Sequence, residues 1–106
     1  MNAAARERLP NRRFAETLDI HVGGLKYRAT IGRYADGRLA EVFLDAFKAG
    51  SAADTAARDS AVLASLALQA GIPPEALLHA LVKDSAGRAT SPIGVVLEMI
   101  VGEART

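Results

Sequence analysis

The stretch DGRLAEVFLDAFKAGS, from Asp36 to Ser51, decides how this chain of 106 residues folds. Asp36-Gly37 is a typical hairpin turn, and the residues that follow it read as a strand. Ser51 then has the properties of a helix N-cap, with Asp54 placing a negative charge in the first turn. The stretch therefore predicts a turn, a strand, a short loop and a helix, in that order.

Two more strands are predicted upstream of this stretch. Thr17 to Val22 and Leu25 to Tyr34 both alternate polar and apolar residues, and Gly23-Gly24 between them is typical of a two-residue hairpin turn. Two-residue turns at both sites give a register in which every apolar partner lies on one face, and a slip of one residue would lose this agreement. The predicted pairs are Ile20 with Tyr27, Leu18 with Ala29, Ile31 with Val42, and Ala29 with Leu44.

Three helices are predicted downstream. The first covers Ala52 to Ala70 and ends at Gly71 and two prolines, and the second covers about Pro74 to Lys83. A loop from Asp84 to Thr90 precedes a third helix that starts at Ser91-Pro92. On the first helix, one apolar stripe is predicted from Ala56, Leu63, Leu66, Ala67 and Ala70.

The order β-β-β-α-α-α predicts an α+β fold, in which a three-stranded antiparallel meander carries three helices packed on one face. We expect one such domain over residues 14–106, preceded by a flexible basic arm over residues 1–13. The arm has a net charge of +3, which leaves −2 for the remainder of the chain. Either the arm is a solubilising terminus, or it binds a polyanion through its four arginines. These are Arg6, Arg8, Arg12 and Arg13.

Composition excludes several classes of protein. The chain has no cysteine, which excludes disulfides, thiolate metal sites and thiol catalysis within it and agrees with a reducing compartment. No apolar run approaches the roughly 18 residues of a membrane span. We therefore expect a cytoplasmic protein that makes no contact with membranes.

The loop Lys48-Ala49-Gly50-Ser51 is the first candidate binding site. Its glycine, its hydroxyl and the backbone N–H groups at a helix N-terminus could hold a phosphate beside the Lys48 ammonium. The same residue types are also explained if Gly50 makes the turn, Ser51 caps the helix and Lys48 is solvated. The candidate ligand residues are Lys48, Gly50 and Ser51.

The outer face of the sheet is the second candidate. The register places Lys26, Arg28 and Phe43 there, and an exposed Phe43 would mark a partner site or a self-association surface. The alternative is a solvated face on which Arg28 lies between Asp19 and Asp45. The two histidines have no spacing that suggests a metal or catalytic site, so we predict no catalytic, cofactor or metal residues.

With these motifs in place, the chain resembles the TSCPD domain, the C-terminal domain of adenosylcobalamin-dependent (class II) ribonucleotide reductases. The resemblance covers about residues 25–100. It is carried by DGRLAEVFLDAFKAGS, by SLALQAGIPPEAL from Ser65 to Leu77, and by the helix start Ser91-Pro92-Ile93. Its most specific parts are Glu41-Val42-Phe43 and Lys48 to Ser51.

The resemblance implies an accessory domain and not a reductase. In that family the domain is joined to a large catalytic barrel and often to a cysteine-bearing tail, and radical ribonucleotide reduction needs cysteines that this chain lacks. We expect a small free-standing, non-enzymatic domain that binds a protein partner or associates with itself, linked to ribonucleotide reduction or deoxynucleotide metabolism. The alternative is binding of nucleic acid or of a nucleotide phosphate through the arm and the Lys48–Ser51 loop.

Overall fold

The structure, a computed structural model, describes residues 6–9 and 14–104. Within these residues it confirms the predicted order of three strands followed by three helices. The elements are β1 (Phe14–Val22), β2 (Leu25–Arg33), β3 (Leu39–Ala46), α1 (Ala52–Gln69), α2 (Pro74–Ala80) and α3 (Pro92–Ala104). The fold is α+β, with one antiparallel sheet in the strand order β1-β2-β3.

The β1–β2 hairpin has the predicted register. Val22 lies opposite Leu25, so the turn consists of Gly23 and Gly24 alone. Both glycines have positive φ, at 58° and 77°, which a two-residue hairpin turn requires and which costs glycine little. The predicted partners Ile20 and Tyr27 are confirmed, as are Leu18 with Ala29 and both pairs between β2 and β3.

The second turn differs from the prediction. Tyr34 N–H donates to the Arg38 carbonyl, and Gly37 N–H donates to the Tyr34 carbonyl, so the loop has three residues, Ala35 to Gly37. Gly37 takes the positive φ that such a loop needs at its last position. The ladder then shifts between Gly32 and Arg33, and Ala40 is the extra residue on β3. This bulge offsets the longer loop and restores the predicted register from Gly32 onward.

Helix α1 has defined caps at both ends. Ser51 Oγ accepts the Asp54 N–H at 3.1 Å, which confirms the predicted N-cap. At the other end the Ile72 N–H reaches the Ala67 carbonyl and the Gly71 N–H reaches the Leu68 carbonyl. This pair of bonds is a Schellman motif, and it satisfies carbonyls that the end of a helix would otherwise leave without partners.

The face of α1 that packs on the sheet is not the predicted apolar stripe. Its buried apolar residues are three alanines and one leucine, Ala57, Ala61, Ala64 and Leu68, and the polar Asp54 and Gln69 are buried beside them. Of the predicted stripe, Ala56, Leu63 and Leu66 are exposed. Because three of the four buried apolar residues are alanines, the helix axis can lie close to β3. Close approach, rather than the bulk of leucine side chains, decides which face of α1 is buried.

Helix α1 also places polar side chains along the free edge of β3. Ser65 Oγ accepts the Val42 N–H at 2.9 Å and donates to the Val42 carbonyl at 3.1 Å. Asp54 accepts the Ala46 N–H, and Gln69 Nε2 donates to the carbonyl of the bulged Ala40. Backbone groups that would otherwise lack partners at a sheet edge are thus satisfied by one helix.

The second helix is shorter than predicted. Helix α2 ends at Ala80, three residues before the predicted end at Lys83. The Lys83 ammonium donates to the carbonyls of Leu78 and Leu81, where the helix stops. The predicted loop that follows is closed by a single bridge between Lys83 and Ala89.

Helix α3 completes the core. Ser91 caps it by accepting the Gly94 N–H at 3.1 Å, as the Ser91-Pro92 start predicts. Its buried side chains meet the inner face of the sheet, and the largest fully buried side chains are Leu44, Leu97, Val42 and Val96. No helix among the described residues is long and apolar enough to cross a membrane.

Candidate functional site

The Lys48–Ser51 loop is shaped by the start of α1. Ser51 Oγ donates to the Lys48 carbonyl at 2.9 Å while it caps the helix, so one hydroxyl ties both ends of the loop. Gly50 has a φ of 75°, a backbone conformation that a residue with a side chain adopts only with strain. Lys48 and Gly50 are exposed. The capping role predicted for Ser51 is therefore present in the geometry.

A carboxylate already lies at the positive end of α1. Asp54 is buried and accepts N–H groups from Ala46 at 2.9 Å and Gly50 at 3.1 Å, and Arg58 Nε donates to both its oxygens. The N–H groups of Ala46 and Gly50, and then Arg58, hold the pKa of Asp54 below its usual value. A phosphate at this loop would compete with Asp54 for the Gly50 N–H, and phosphate binding here stays a prediction.

The outer face of the sheet carries a cluster of two cations and one aromatic ring. The Lys26 ammonium lies 4.5 Å from the centroid of the Phe47 ring, and the Arg28 guanidinium lies 5.1 Å from it. Both distances allow a cation–π attraction. Asp19 lies within 3.6 Å of Lys26 and 3.4 Å of Arg28. We call Lys26, Arg28 and Phe47 the cation–aromatic cluster.

The predicted position of Arg28 between Asp19 and Asp45 is confirmed in the register but not in the ion pairs. Asp19 and Asp45 both lie opposite Arg28 in the register. However, Asp45 forms its ion pair with Arg58 of α1 at 2.8 Å, not with Arg28. The reason is that α1 runs beside β3, which puts Arg58, in the second turn of the helix, within reach of the strand. Arg28 is left with Asp19 and the Phe47 ring.

Phe47 is a member of this cluster that the sequence did not reveal. Phe43 and Phe47 are both half-exposed, and Phe43 lies opposite Thr30. Strand alternation contains the missing signal, because residues 43, 45 and 47 point to the same side of a sheet. The predicted surface of Lys26, Arg28 and Phe43 is thus extended by a second phenylalanine at the end of β3.

The four described residues of the N-terminal arm contact the domain through Glu7. Its N–H donates to the Gln69 carbonyl at 2.9 Å, its carbonyl accepts the Tyr34 hydroxyl, and its carboxylate receives two bonds from Arg38. Burial, and then the charge of Glu7, raises the pKa of Tyr34. The contacts to the domain are thus made by the acidic residue of the arm, whereas the residues predicted to bind a polyanion are the arginines of the arm. Of these, Arg6 and Arg8 are exposed, whereas Arg12 and Arg13 lie outside the described residues.

A cleft of about 720 Å³ lies between the β2–β3 turn and the junction of α1 with α2. It brings together two distant stretches of sequence, Gly37 to Leu39 and Gly71 to Glu75. Arg33 in its wall reaches Glu16 and Glu103, and Arg38 reaches Glu7 and Asp36. The cations of the cleft therefore already have carboxylate partners. The sequence reading did not find this cleft, because its walls come from separate elements.

The outer face of α1 is apolar although it does not pack on the sheet. Val62 is 54% exposed, Leu63 is 67% exposed and Leu66 is 42% exposed. A groove of about 230 Å³ begins beside Leu63 and runs between α1 and the α2–α3 pair. Its walls are almost wholly apolar and include Leu77, Leu81, Ile93 and Leu97. We call Val62, Leu63 and Leu66 the outer face of α1, and this depression the helical groove.

Metal ligands do not cluster in residues 6–9 and 14–104. No group of three or more His, Cys, Asp or Glu side chains there could hold a metal ion. His21 and His79 are both exposed, on β1 and α2 respectively. The features that remain as candidate sites are therefore surfaces and grooves, not a charged pocket with convergent ligands.

These features define a small α+β domain whose distinguishing parts are an apolar helical groove and a cation–aromatic sheet face. Its sequence matches the family model of the TSCPD domain over residues 4–100. The chain belongs to the TSCPD domain family. The match includes most of the segment that sequence reasoning assigned to the arm.

Two curated relatives are vitamin B12-dependent ribonucleotide reductases. The one from Agrobacterium fabrum is 41% identical over 75 residues, which is 71% of this chain and 6% of the relative. The one from Bradyrhizobium diazoefficiens is 43% identical over 68 residues, which is 64% of this chain and 5% of the relative. The chain thus spans only about one-twentieth of these proteins. No solved structure matches it significantly.

Proposed function

We propose that this chain is a non-catalytic binding module that docks on a polypeptide of a vitamin B12-dependent ribonucleotide reductase. The observation that carries this proposal is the apolar outer face of α1, which continues into the helical groove. Family membership supplies the class of partner, because the matched region belongs to reductases in both relatives.

The outer face of α1 has the properties of an interface. Large apolar side chains at positions 62, 63 and 66 form a patch in the middle of the longest helix, and each is more than 40% exposed. Burying such side chains against a partner yields roughly 25 cal/mol for each Å² of apolar surface removed from water. Contiguous exposed apolar patches on soluble domains commonly mark sites of protein contact.

The helical groove extends this patch into a concave surface. Leu63 and Ala64 form one wall, and Leu77, Leu81 and Leu97 form much of the remainder. A groove between helices with apolar walls fits the apolar face of an amphipathic helix, whose anchors repeat every three to four residues. We therefore assign a helical segment of the reductase as the bound element.

Two features support a role without catalysis. The chain contains no cysteine, the side chain on which the thiol chemistry of ribonucleotide reduction depends. The two arginines of the cleft beside the β2–β3 turn, Arg33 and Arg38, are already paired with carboxylates. Covalent mechanisms usually require a nucleophile activated by a neighbouring base, and a cleft whose arginines are paired with carboxylates is not such an arrangement.

The test uses the Agrobacterium fabrum reductase with its own 75 matching residues deleted. We expect this chain to bind the shortened reductase in sedimentation velocity experiments, and the intact reductase, whose own domain competes, to bind it more weakly. Leu63→Glu should weaken binding at least about tenfold, because a charge would be buried in an apolar contact.

Thr55→Glu is the matched control, because Thr55 is an exposed residue on the same helix, two turns before the apolar patch. Its variant should bind like the original chain. Circular dichroism on both variants separates lost binding from lost folding. Equal binding by the Leu63 and Thr55 variants, or no binding to the shortened reductase, would contradict the proposal.

A further inference from the structure

The two edges of the sheet have different hydrogen-bonding environments. Along β3, the outward N–H and carbonyl groups of Val42 are both bonded to Ser65, and those of Ala46 and Ala40 are bonded in part to Asp54 and Gln69. Along β1, the groups that point outward can be identified from the bonds of β2.

Hydrogen bonds across an antiparallel sheet alternate between its two sides. Phe47 N–H donates to the Lys26 carbonyl, so the even-numbered residues of β2 bond to β3 and the odd-numbered ones bond to β1. Since Tyr27 lies opposite Ile20, the even-numbered residues of β1 are bonded to β2. The backbone groups of the odd-numbered residues therefore point away from the sheet. These are Ala15, Thr17, Asp19 and His21, which we call the open edge.

Among the described residues, nothing covers the open edge. All four of its residues are exposed. Within residues 14–104, their backbone groups receive no helix side-chain bond like those that α1 makes to β3. Edge strands usually avoid pairing by being short or by carrying proline or charged side chains, especially lysine. β1 has nine residues without lysine or proline, and the one carboxylate of its open edge, Asp19, is paired with Lys26 and Arg28. It is therefore a strand suited to pairing with another strand.

We propose that β1 pairs with β1 of a second copy of this chain, so that two sheets join into one of six strands. The midpoint of Phe14–Val22 is Leu18, so a two-fold axis at Leu18 pairs the whole strand with its counterpart. The four open-edge residues of each copy then exchange N–H and carbonyl groups, forming about eight hydrogen bonds.

Charge selects this register. With the axis at Leu18, Asp19 of one copy lies opposite Thr17 of the other, and His21 lies opposite Ala15. An axis at Asp19 would place two aspartates opposite each other, which destabilises a strand pair. An axis at Thr17 would leave the end of each strand unpaired. The axis at Leu18 is the one that pairs all nine residues without opposing like charges.

The helix side of the same edge also has apolar surface to bury. A depression of about 180 Å³ lies beside β1, lined by apolar residues that include Leu18, Ile31 and the exposed Met99. Its rim also carries Glu16 and Glu103, which both pair with Arg33. Pairing at Leu18 brings this surface of each copy toward the two-fold axis. This interface is separate from the outer face of α1, so it stands independently of the proposed reductase contact.

Sedimentation equilibrium on the whole chain, up to about 1 mM, tests the association. We expect a dimer, together with concentration-dependent protection of specific amides in hydrogen exchange followed by NMR. The amides of Thr17, Asp19 and His21 should slow as concentration rises, whereas those of Leu18 and Ile20 should be protected at every concentration. A monomer at about 1 mM would overturn the proposal, as would a dimer in which the three amides exchange freely.

Charge reversal at one position tests the register. Thr17→Asp opposes Asp19 of the second copy and should weaken the dimer about fivefold, because two symmetric pairs change together. Thr17→Lys faces the same Asp19 and should strengthen it by a similar factor. Thr30→Asp and Thr30→Lys are matched controls, since Thr30 lies beside Thr17 on the same face of the central strand and should leave the dimer unchanged. Equal effects of both charges at Thr17 would exclude this register.

Discussion

The two edge strands of this sheet differ in whether their outward backbone groups have hydrogen-bond partners. β3 is closed by side chains of α1, because Ser65, Asp54 and Gln69 bond to its outward backbone groups. β1 has no such cover among residues 6–9 and 14–104, and its outward groups face solvent. Satisfying a sheet edge therefore requires a helix that lies beside the strand, and not only one that packs on the face of the sheet.

The difference arises from the composition of α1. Ala57, Ala61 and Ala64 let its backbone approach β3, and only at that distance can short side chains such as serine reach the strand. Helix α3, on the β1 side, is instead buried through larger residues such as Ile93 and Leu97. Small residues on one helix thus decide which edge of the sheet is closed.

The largest expected effect comes from proline at matched positions on the two edges. Ala46→Pro removes an N–H that donates to Asp54 and sets the proline ring against that side chain, so we expect a loss of at least about 3 kcal/mol. In the monomer, the Ala15 N–H faces solvent, so Ala15→Pro should cost less than about 1 kcal/mol at concentrations too low for strand pairing between copies. Urea denaturation measures both. Similar costs for the two variants would show that the edges do not differ.

Enlarging one buried alanine should have the next largest effect. Ala61 is almost fully buried between α1 and β3, so Ala61→Leu should push the helix from the strand and cost about 1–3 kcal/mol. Ala56→Leu, at an exposed position of the same helix, should change stability by less than about 0.5 kcal/mol. Equal stability of the two variants by urea denaturation would mean that close approach is not required.

This helix also shows what the sequence could and could not predict. The amphipathic pattern favoured the stripe of Leu63 and Leu66 as the buried face, because a hydrophobic core usually selects the largest apolar residues. In the structure, Ser65 and Gln69 point toward the sheet because its edge offers them backbone partners. Periodicity locates a helix, but it cannot show that the helix will meet hydrogen-bonding groups on the apolar side.

The sheet was more predictable than the sites. The strand register followed from turn type and from the alternation of polar and apolar residues, since a one-residue slip would bury polar side chains. Examples are the pairs Leu18 with Ala29 and Ile31 with Val42. The bulge at Ala40 was not predictable, because it depends on the length of a turn in which Gly37 fits more than one type. The cleft and the helical groove were missed because their walls meet only in the folded chain.

A smaller effect is expected from removing one side-chain bond at the closed edge. Ser65→Ala leaves the N–H and the carbonyl of Val42 without their partner and should cost about 1–2 kcal/mol. Ser60→Ala is the control, because the Ser60 hydroxyl donates only to the Ala57 carbonyl within the helix. Both variants gain the same helix propensity from alanine, so the difference between them isolates the edge bond. A difference below about 0.3 kcal/mol would contradict this role for Ser65.

The smallest expected effect is on the pH dependence of stability, and it depends on Asp54 at the edge of β3. Hydrogen bonds from Ala46, Gly50 and Arg58 hold the pKa of Asp54 below its usual value. A carboxyl with a lowered pKa in the folded state contributes stability above its unfolded pKa of about 3.9 and loses it as pH falls toward the folded value. We therefore expect Asp54→Asn to be less stable than the original chain near neutral pH, with the gap closing as the pH drops below about 4. Thermal unfolding of both proteins from pH 7 to pH 3 measures this gap. A gap that stays constant would mean that the charge of Asp54, as distinct from its size and position, does not stabilise the junction of β3 and α1.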